Sequence, residues 1–292
     1  MCLYPILIKN PKYQPNKKNK GSPPELDDIR KYMVPIGCGR CEECMKQRAD
    51  QWRVRLLEEI KNDKTGVFVT LTFNEENLQE LENKADKGKT LQEQTDNIAK
   101  YAIRHFLERW RKKHRKSVKH WLITELGHTG TERLHIHGII FTENQEDIEK
   151  IWGYGYVFLG SWVNEQTINY VIKYCTKQDQ DHPQWRGKIF CSAGLGKGYL
   201  LKEHDKSQEY YRDRKGFIHA LPLYYKNKIY SEIEREQMWM QKLSENIRFC
   251  EGHRFDLKTK VGLIGFKKQL QHAQRESERR GYGKRKVRIN KN

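Results

Sequence analysis

In the segment LHIHGIIF, residues 134–141, His135 and His137 stand one residue apart. On a strand that spacing points both imidazoles to one face and leaves Leu134, Ile136 and Ile140 on the other. Two imidazoles side by side are half a metal site. Glu125 closes the preceding apolar run and can lie across a hairpin from them, completing a two-histidine, one-carboxylate set with open positions. Such a set admits Zn, Fe, Mn or Mg, and a phosphate substrate favours Mg²⁺ or Mn²⁺. The plainer reading of the pair is two imidazoles satisfied by hydrogen bonds on a sheet face.

A second pattern lies in NEQTINYVIKYCTK. At about 100° per residue, Ile168, Val171, Ile172 and Cys175 share one arc, the side expected to be buried. Tyr170, Lys173, Tyr174 and Lys177 take the opposite arc. A phenolic hydroxyl can attack phosphorus where a metal polarises the phosphate oxygens and a nearby lysine offsets the developing charge. The product is a phosphotyrosine that conserves the phosphodiester energy, so a released strand end or a second tyrosine can reverse the step without ATP. The competing reading has both rings covering surface or stacking on bases.

A scaffold must bring these two patterns together. Of 292 residues, 56 are Lys or Arg and 38 Asp or Glu, a formal charge of +18. That excess fits a nucleic-acid partner through counterion release, with a polybasic membrane surface as the weaker rival. Seven tryptophans and fifteen tyrosines argue for a folded chain. No apolar run reaches the ~18 residues of a membrane span, and MCLYPILIKN lacks a basic stretch before its apolar one, so neither insertion nor secretion is expected.

The pattern predicts a helix over 42–62, a buried strand at VFVTLTF (67–73), and a loop or frayed helix over 74–89. A helix opening at Thr95 or Asp96 and ending in RKKHRK follows. Next come strands over 121–126 and 133–141, joined by a turn at 127–130, a helix from Asp147, a strand over 156–162 and a helix over 165–177. This order implies an α+β fold. Residues 10–35 read as extended or loop, Ser231 with Glu234 as a capping box for a helix through Met240, and residues 278–292 as a flexible basic tail. Three segments are expected: 1–62, 63–180 and 181–292. Arg111, Lys112, Lys113, Arg115 and Lys116, with the tail from Arg279 to Lys291, are the candidate phosphate contacts.

Cys38, Cys41 and Cys44 have the spacing of a zinc site, but a structural site wants four ligands and no second C-x-x-C follows. Cys2 or a distant histidine can be the fourth; the alternative is reduced thiols packed near a helix start. A catalytic thiol lacks an assignable base.

Taken together, these motifs resemble a known family. His135-Ile136-His137 looks like the HUH motif of rolling-circle replication initiators, Tyr170 and Tyr174 match its two-tyrosine motif, and FVTLTF is similar to its first strand motif. MCLYPILIKNPKY, VPIGCGRCEECMKQRADQWRVRLLEE and CSAGLGKGY resemble the replication initiation protein of gokushovirus-type single-stranded DNA phages, so the likeness spans most of residues 1–200. The resemblance implies an HUH endonuclease fold, a central, mainly antiparallel sheet with helices on its faces. It implies Glu125, His135 and His137 as ligands of Mg²⁺ or Mn²⁺, Tyr170 and Tyr174 as nucleophiles, and Lys173 and Lys177 as auxiliary. The implied reaction nicks single-stranded DNA at the phage origin in the host bacterial cytoplasm, forms a 5′-phosphotyrosine, leaves a 3′-hydroxyl for host polymerase, and later rejoins the displaced strand. No G-x-x-x-x-G-K-[ST] loop is present, so unwinding falls to a host helicase. Plasmid relaxases and tyrosine transposases share such a core. The non-enzymatic alternative is a single-stranded DNA or RNA binding protein with a structural zinc. A histidine-triad hydrolase is disfavoured because Ile139 stands where a third histidine is needed.

Overall fold

Chain order in the computed structural model, which describes residues 1–127, 132–179, 181–204 and 206–283, begins with β1 (Ile6–Lys9), β2 (Met33–Ile36) and α1 (Glu42–Asn62). It continues through β3 (Gly66–Leu71), α2 (Glu75–Lys84), α3 (Leu91–His114), β4 (Lys119–Leu126), β5 (Leu134–Phe141), α4 (Glu146–Trp152), β6 (Val157–Trp162) and α5 (Glu165–Ile172). Then come β7 (Ile189–Cys191), β8 (Tyr210–Arg212), β9 (Ile218–Ala220), α6 (Leu223–Ile229), α7 (Glu232–Glu245), β10 (Ile247–Cys250), β11 (His253–Asp256) and α8 (Lys260–Arg279). The backbone gathers into two compact units: the described residues of Met1–Gln47 with Met240–Asn292, and those of Arg48–Trp239.

The larger unit is built on a five-stranded antiparallel sheet in the order β6-β3-β5-β4-β7. Strand alternation divides its side chains between two faces. Val69, Leu122, Ile136 and Ile140 of one parity are buried with Ala102, Phe106 and Trp110 of α3 and with Trp152 of α4. Trp121, Ile123 and Ile139 of the other parity are buried with Leu56 and Ile60 of α1 and with Ile168 and Val171 of α5. Both faces are therefore covered by helices, as the α+β expectation required. Gly138 sits where β5 crosses β4 so closely that a Cβ would lie 2.1 Å from the Trp121 carbonyl oxygen, so glycine alone fits there.

Several local expectations need correction. The charged stretch 74–89 holds a true helix, α2, capped by Asn74, whose side chain accepts from the Asn77 amide at 2.8 Å. Thr90, not Thr95 or Asp96, caps α3; Thr95 is buried and bonds back to the Leu91 carbonyl. Residues 10–35 contain two 3₁₀ turns, Pro11–Tyr13 and Ile29–Lys31, closed by the β1–β2 pairing. The helix expected over 165–177 is α-helical only to Ile172 and tightens into a 3₁₀ turn at Lys173–Cys175. The Ser231–Glu234 capping box is present, with both reciprocal bonds, but α7 runs past Met240 to Glu245. The basic stretch from 278 begins inside α8, where Glu278 accepts from Tyr4 and Arg280 pairs with Glu42 at 2.7 Å, so its start is packed. Residues 284–292 of that tail, and 128–130 of the expected turn, lie outside the described residues.

In the smaller unit, β1–β2, β10–β11 and α8 enclose a core of Leu3, Cys38, Cys41, Cys250 and Ala273, flanked by Phe255 and Phe266. Among the described residues, no helix is long and apolar enough to cross a membrane.

Candidate active site

Register places the first pattern. On the β4–β5 ladder Glu125 stands directly opposite His135, and on the β3–β5 ladder Thr70 stands opposite His137. Glu125, His135, His137 and Thr70 therefore share the sheet face that α1 and α5 cover. The hydrophobic half of α5 is fixed by Ile168, Val171 and Ile172, all buried, which aims the end of the helix at the same face. Both sequence patterns meet there.

His137 is the centre of the cluster. Its Nδ1 lies 3.0 Å from Thr70 Oγ1, and its ring stacks on Tyr174 with centroids 4.3 Å apart and planes 7° from parallel. Its Nε2 comes within 2.5 Å of Glu125 Oε2, yet the approach is not aligned as a hydrogen bond and Nε2 is a buried atom without such a partner. With Nδ1 assigned as donor to Thr70, a ring lone pair faces a carboxylate, an arrangement that calls for a proton or a cation between them. Burial alone would raise the Glu125 carboxyl, but the close approach of His137 and Lys177 outweighs it and holds the group at about 2. Glu125 is thus an anion at any physiological pH. Burial, then the neighbouring His137, lowers His135, favouring the neutral form that can ligate a metal.

The donor set fits a hard divalent cation in type and in shared face. It is not drawn into a closed cage: the His135 and His137 ring centroids are 6.3 Å apart, and Lys177 Nζ holds the second oxygen of Glu125. Among the described residues, the group of three or more metal-ligand types whose donor atoms converge is Cys2, Cys38, Cys41 and Cys44.

The two tyrosines differ from the expectation that both face away from the core. Tyr170 is 47% exposed, whereas Tyr174 is 7% exposed. The reason is the 3₁₀ turn, whose tighter winding swings residue 174 toward the sheet and onto the His137 ring. The hydroxyls still meet, 3.3 Å apart. Lys173 Nζ lies 3.6 Å from the Tyr170 ring centroid. Hydrogen bonding to Tyr174, with Lys173 beside it, lowers the Tyr170 hydroxyl from its ordinary range; burial, then the bond to Tyr170, raises Tyr174.

Sequence reasoning missed three neighbours. Thr70 is legible only once strand register pairs it with His137. Phe68 links the site to the sheet edge, its ring 5.7 Å from Tyr170 and 6.2 Å from the exposed Phe158 of β6. Gln178 lines a cleft with Glu125, Tyr174 and Lys177, and both its amide atoms are buried without a hydrogen-bond partner.

The basic run lies elsewhere. Arg111, Lys112, Lys113, Arg115 and Lys116 are exposed, but α3 packs on the opposite face of the sheet, and Lys113 is paired with Asp147. The segment CSAGLGKGY is structural: Gly196 N donates to Glu59 Oε2 at 2.6 Å and Arg55 binds the Leu195 carbonyl, fastening the loop to α1.

With the site assembled, comparison with known proteins is decisive at one point. Residues 66–179 match the family of the replication-associated protein ORF2. The match opens at the first residue of β3 and takes in Glu125, His135, His137, Tyr170, Tyr174 and Lys177. The chain is also 23% identical over 237 residues to Replication-associated protein ORF4 of Chlamydia phage 1, covering 68% of this chain and 54% of that protein. It spans about half the length of that curated relative. No solved structure matches the chain. The resemblance to phage replication proteins read from the motifs is borne out by the ORF2 family match and the ORF4 match.

Proposed function

We propose that this chain is a site-specific single-stranded DNA endonuclease and strand transferase that begins rolling-circle replication of a phage genome. The observation that carries the reading is the meeting of the Tyr170 and Tyr174 hydroxyls beside His137 and Glu125 on one sheet face. The likeness to replication-associated proteins over the same residues supports it.

In this reaction a tyrosine oxygen attacks phosphorus and the bond to the 3′ oxygen breaks. The phenol gives up its proton, the departing 3′ oxygen takes one up, and the strand keeps its 5′ phosphate as a phosphotyrosine. Tyr170 takes the first cleavage, because it is the accessible ring and Lys173 stabilises its oxyanion. Tyr174 donates a hydrogen bond to Tyr170 and is held for the second transfer. Glu125, His135 and His137 would hold Mg²⁺ or Mn²⁺, which supplies polarisation of the phosphate oxygens. Thr70 orients His137, Lys177 keeps Glu125 ionised, and the unpaired Gln178 amide offers a polar contact to the strand. Phe158 and Trp162, both exposed on edge strand β6, give bases a stacking surface. The freed 3′-hydroxyl would prime host polymerase, with a host helicase unwinding, in the bacterial cytoplasm.

Those exposed aromatics also favour a second reading, a single-stranded nucleic-acid binding module. The test is to incubate the protein with labelled viral-type single-stranded DNA and Mg²⁺ or Mn²⁺ and to look for a labelled band that survives boiling in detergent. The expected adduct is lost in the Tyr170→Phe, Tyr174→Phe double variant and in His137→Ala, with DNA affinity largely kept. Tight, salt-sensitive binding with no adduct across many origin sequences would favour the binding module.

A further inference from the structure

We propose that Cys2, Cys38, Cys41 and Cys44 bind one structural Zn²⁺ that fastens the start of the chain within the smaller unit. The inference is independent of the nicking reading. Each sulfur lies within 4.8 Å of the other three. The Cys2–Cys41 and Cys38–Cys44 sulfurs are 3.9 and 4.0 Å apart. Zn–S bonds of about 2.3 Å in a tetrahedron set sulfurs roughly 3.8 Å apart, so these two pairs match opposite edges of one ZnS₄ unit. Neither approaches the ~2.05 Å of a disulfide, and all four cysteines are free thiols.

The surroundings are those of thiolates. Four backbone amides point at sulfur: Leu3 N to Cys41, Tyr4 N to Cys2, Cys38 N to Cys2 and Cys41 N to Cys38, at 3.2 to 3.4 Å. A neutral thiol is a weak acceptor, and buried N–H groups need a partner, so four donors converging on sulfur fit an anionic cluster. Cys41 and Cys44 flank the first turn of α1, whose positive end favours negative charge, and Gly39, with φ +73°, turns the chain between Cys38 and Cys41. Cys38 and Cys41 are 3% and 0% exposed, and thiolates so buried require a cation. Four protein donors leave no open position, which makes the site structural, and a soft sulfur set selects zinc over the hard ion expected at Glu125 and the histidines.

The ligands sit next to the residues that clasp α8. Leu3 O, one residue from Cys2, accepts from Gln274, and Tyr4 OH donates to Glu278 Oε1 at 2.7 Å. Glu42, one residue from Cys41, donates its amide to Ser277 Oγ and pairs with Arg280. The core of this unit is thin, five buried hydrophobic residues with partly buried neighbours, so a metal staple replaces area that packing does not supply.

The test is elemental analysis of the full-length protein purified under reducing conditions without chelator, followed by Co²⁺ exchange. One zinc per chain is expected, with the visible spectrum of a tetrahedral tetrathiolate on cobalt substitution. Cys2→Ser and Cys41→Ser should each lower zinc from one to near zero, while Cys250→Ser, a buried thiol of the same core, keeps it. Should the ligand variants not fold, the wild-type cobalt spectrum and protection of four thiols from alkylation decide alone. Mercurial release of the metal should speed amide hydrogen exchange in α8 and residues 1–47 while the five-stranded sheet stays protected. Metal-free protein with freely alkylated thiols, bound iron, a three-sulfur spectrum, or zinc retained in both ligand variants would overturn the proposal.

Discussion

Tyr170 and Tyr174 are one helical turn apart, yet water reaches one and the His137 ring covers the other. Chemically equal residues are thereby made unequal by burial. Tyr170→Phe should abolish the first covalent adduct. Tyr174→Phe should slow first cleavage by no more than about tenfold, the worth of one hydrogen bond, but block rejoining. A strand-transfer assay with separately labelled ends distinguishes the two, and the reverse pattern would exchange their roles. Thr70 acts through His137 and not on the substrate. Thr70→Val should weaken metal-dependent cleavage about 10–100-fold, with the loss partly recovered at high Mn²⁺ and DNA affinity unchanged. Failure of added metal to rescue would make Thr70 a packing residue.

Elements turn these side chains into a site through parity and register. Because β4, β5 and β3 pair without a slip over Glu125, His135, His137 and Thr70, four polar residues fall on one face, and the apolar residues between them anchor α3 on the other. A buried histidine in the same sheet gives a pH signature. His120 is lowered by burial, with its Nδ1 3.1 Å from the Val118 carbonyl. Its folded form binds a proton less readily than its unfolded form, so stability is fully present above the unfolded value near 6.5 and falls as pH drops below it. The melting temperature should fall with pH through that range, and His120→Gln should flatten the slope. An unchanged slope in the variant would assign the effect to other groups.

At the scale of the whole molecule the +18 charge supplies affinity and the catalytic face supplies chemistry. The basic end of α3 is on the far side of the sheet from the tyrosines, so it serves long strands more than the scissile phosphate. Replacing Arg111, Lys112, Arg115 and Lys116 by alanine should reduce the slope of log affinity against log salt by about 0.7 for each residue that touches phosphate. Cleavage of a short oligonucleotide at saturation should remain unchanged. A fall in that saturated rate would bring the run into the active site.

Periodicity alone determined much of this protein: the two-residue repeat of LHIHGIIF, the apolar stripe of α5, helix α1 to both its ends, and the Ser231 cap were all legible because they rest on local geometry. The charged stretch of α2 was not, since its helix depends on the Asn74 cap and on Leu81 reaching the core. Tertiary structure alone decided that Tyr174 is buried, that Thr70 supports His137, that the basic run is remote, and that Cys2 joins cysteines 36 to 42 positions away. Each of these depends on which distant segment arrives at a given face. Strand register and helix docking set that by burying apolar area across the whole chain, and no window of sequence contains both partners.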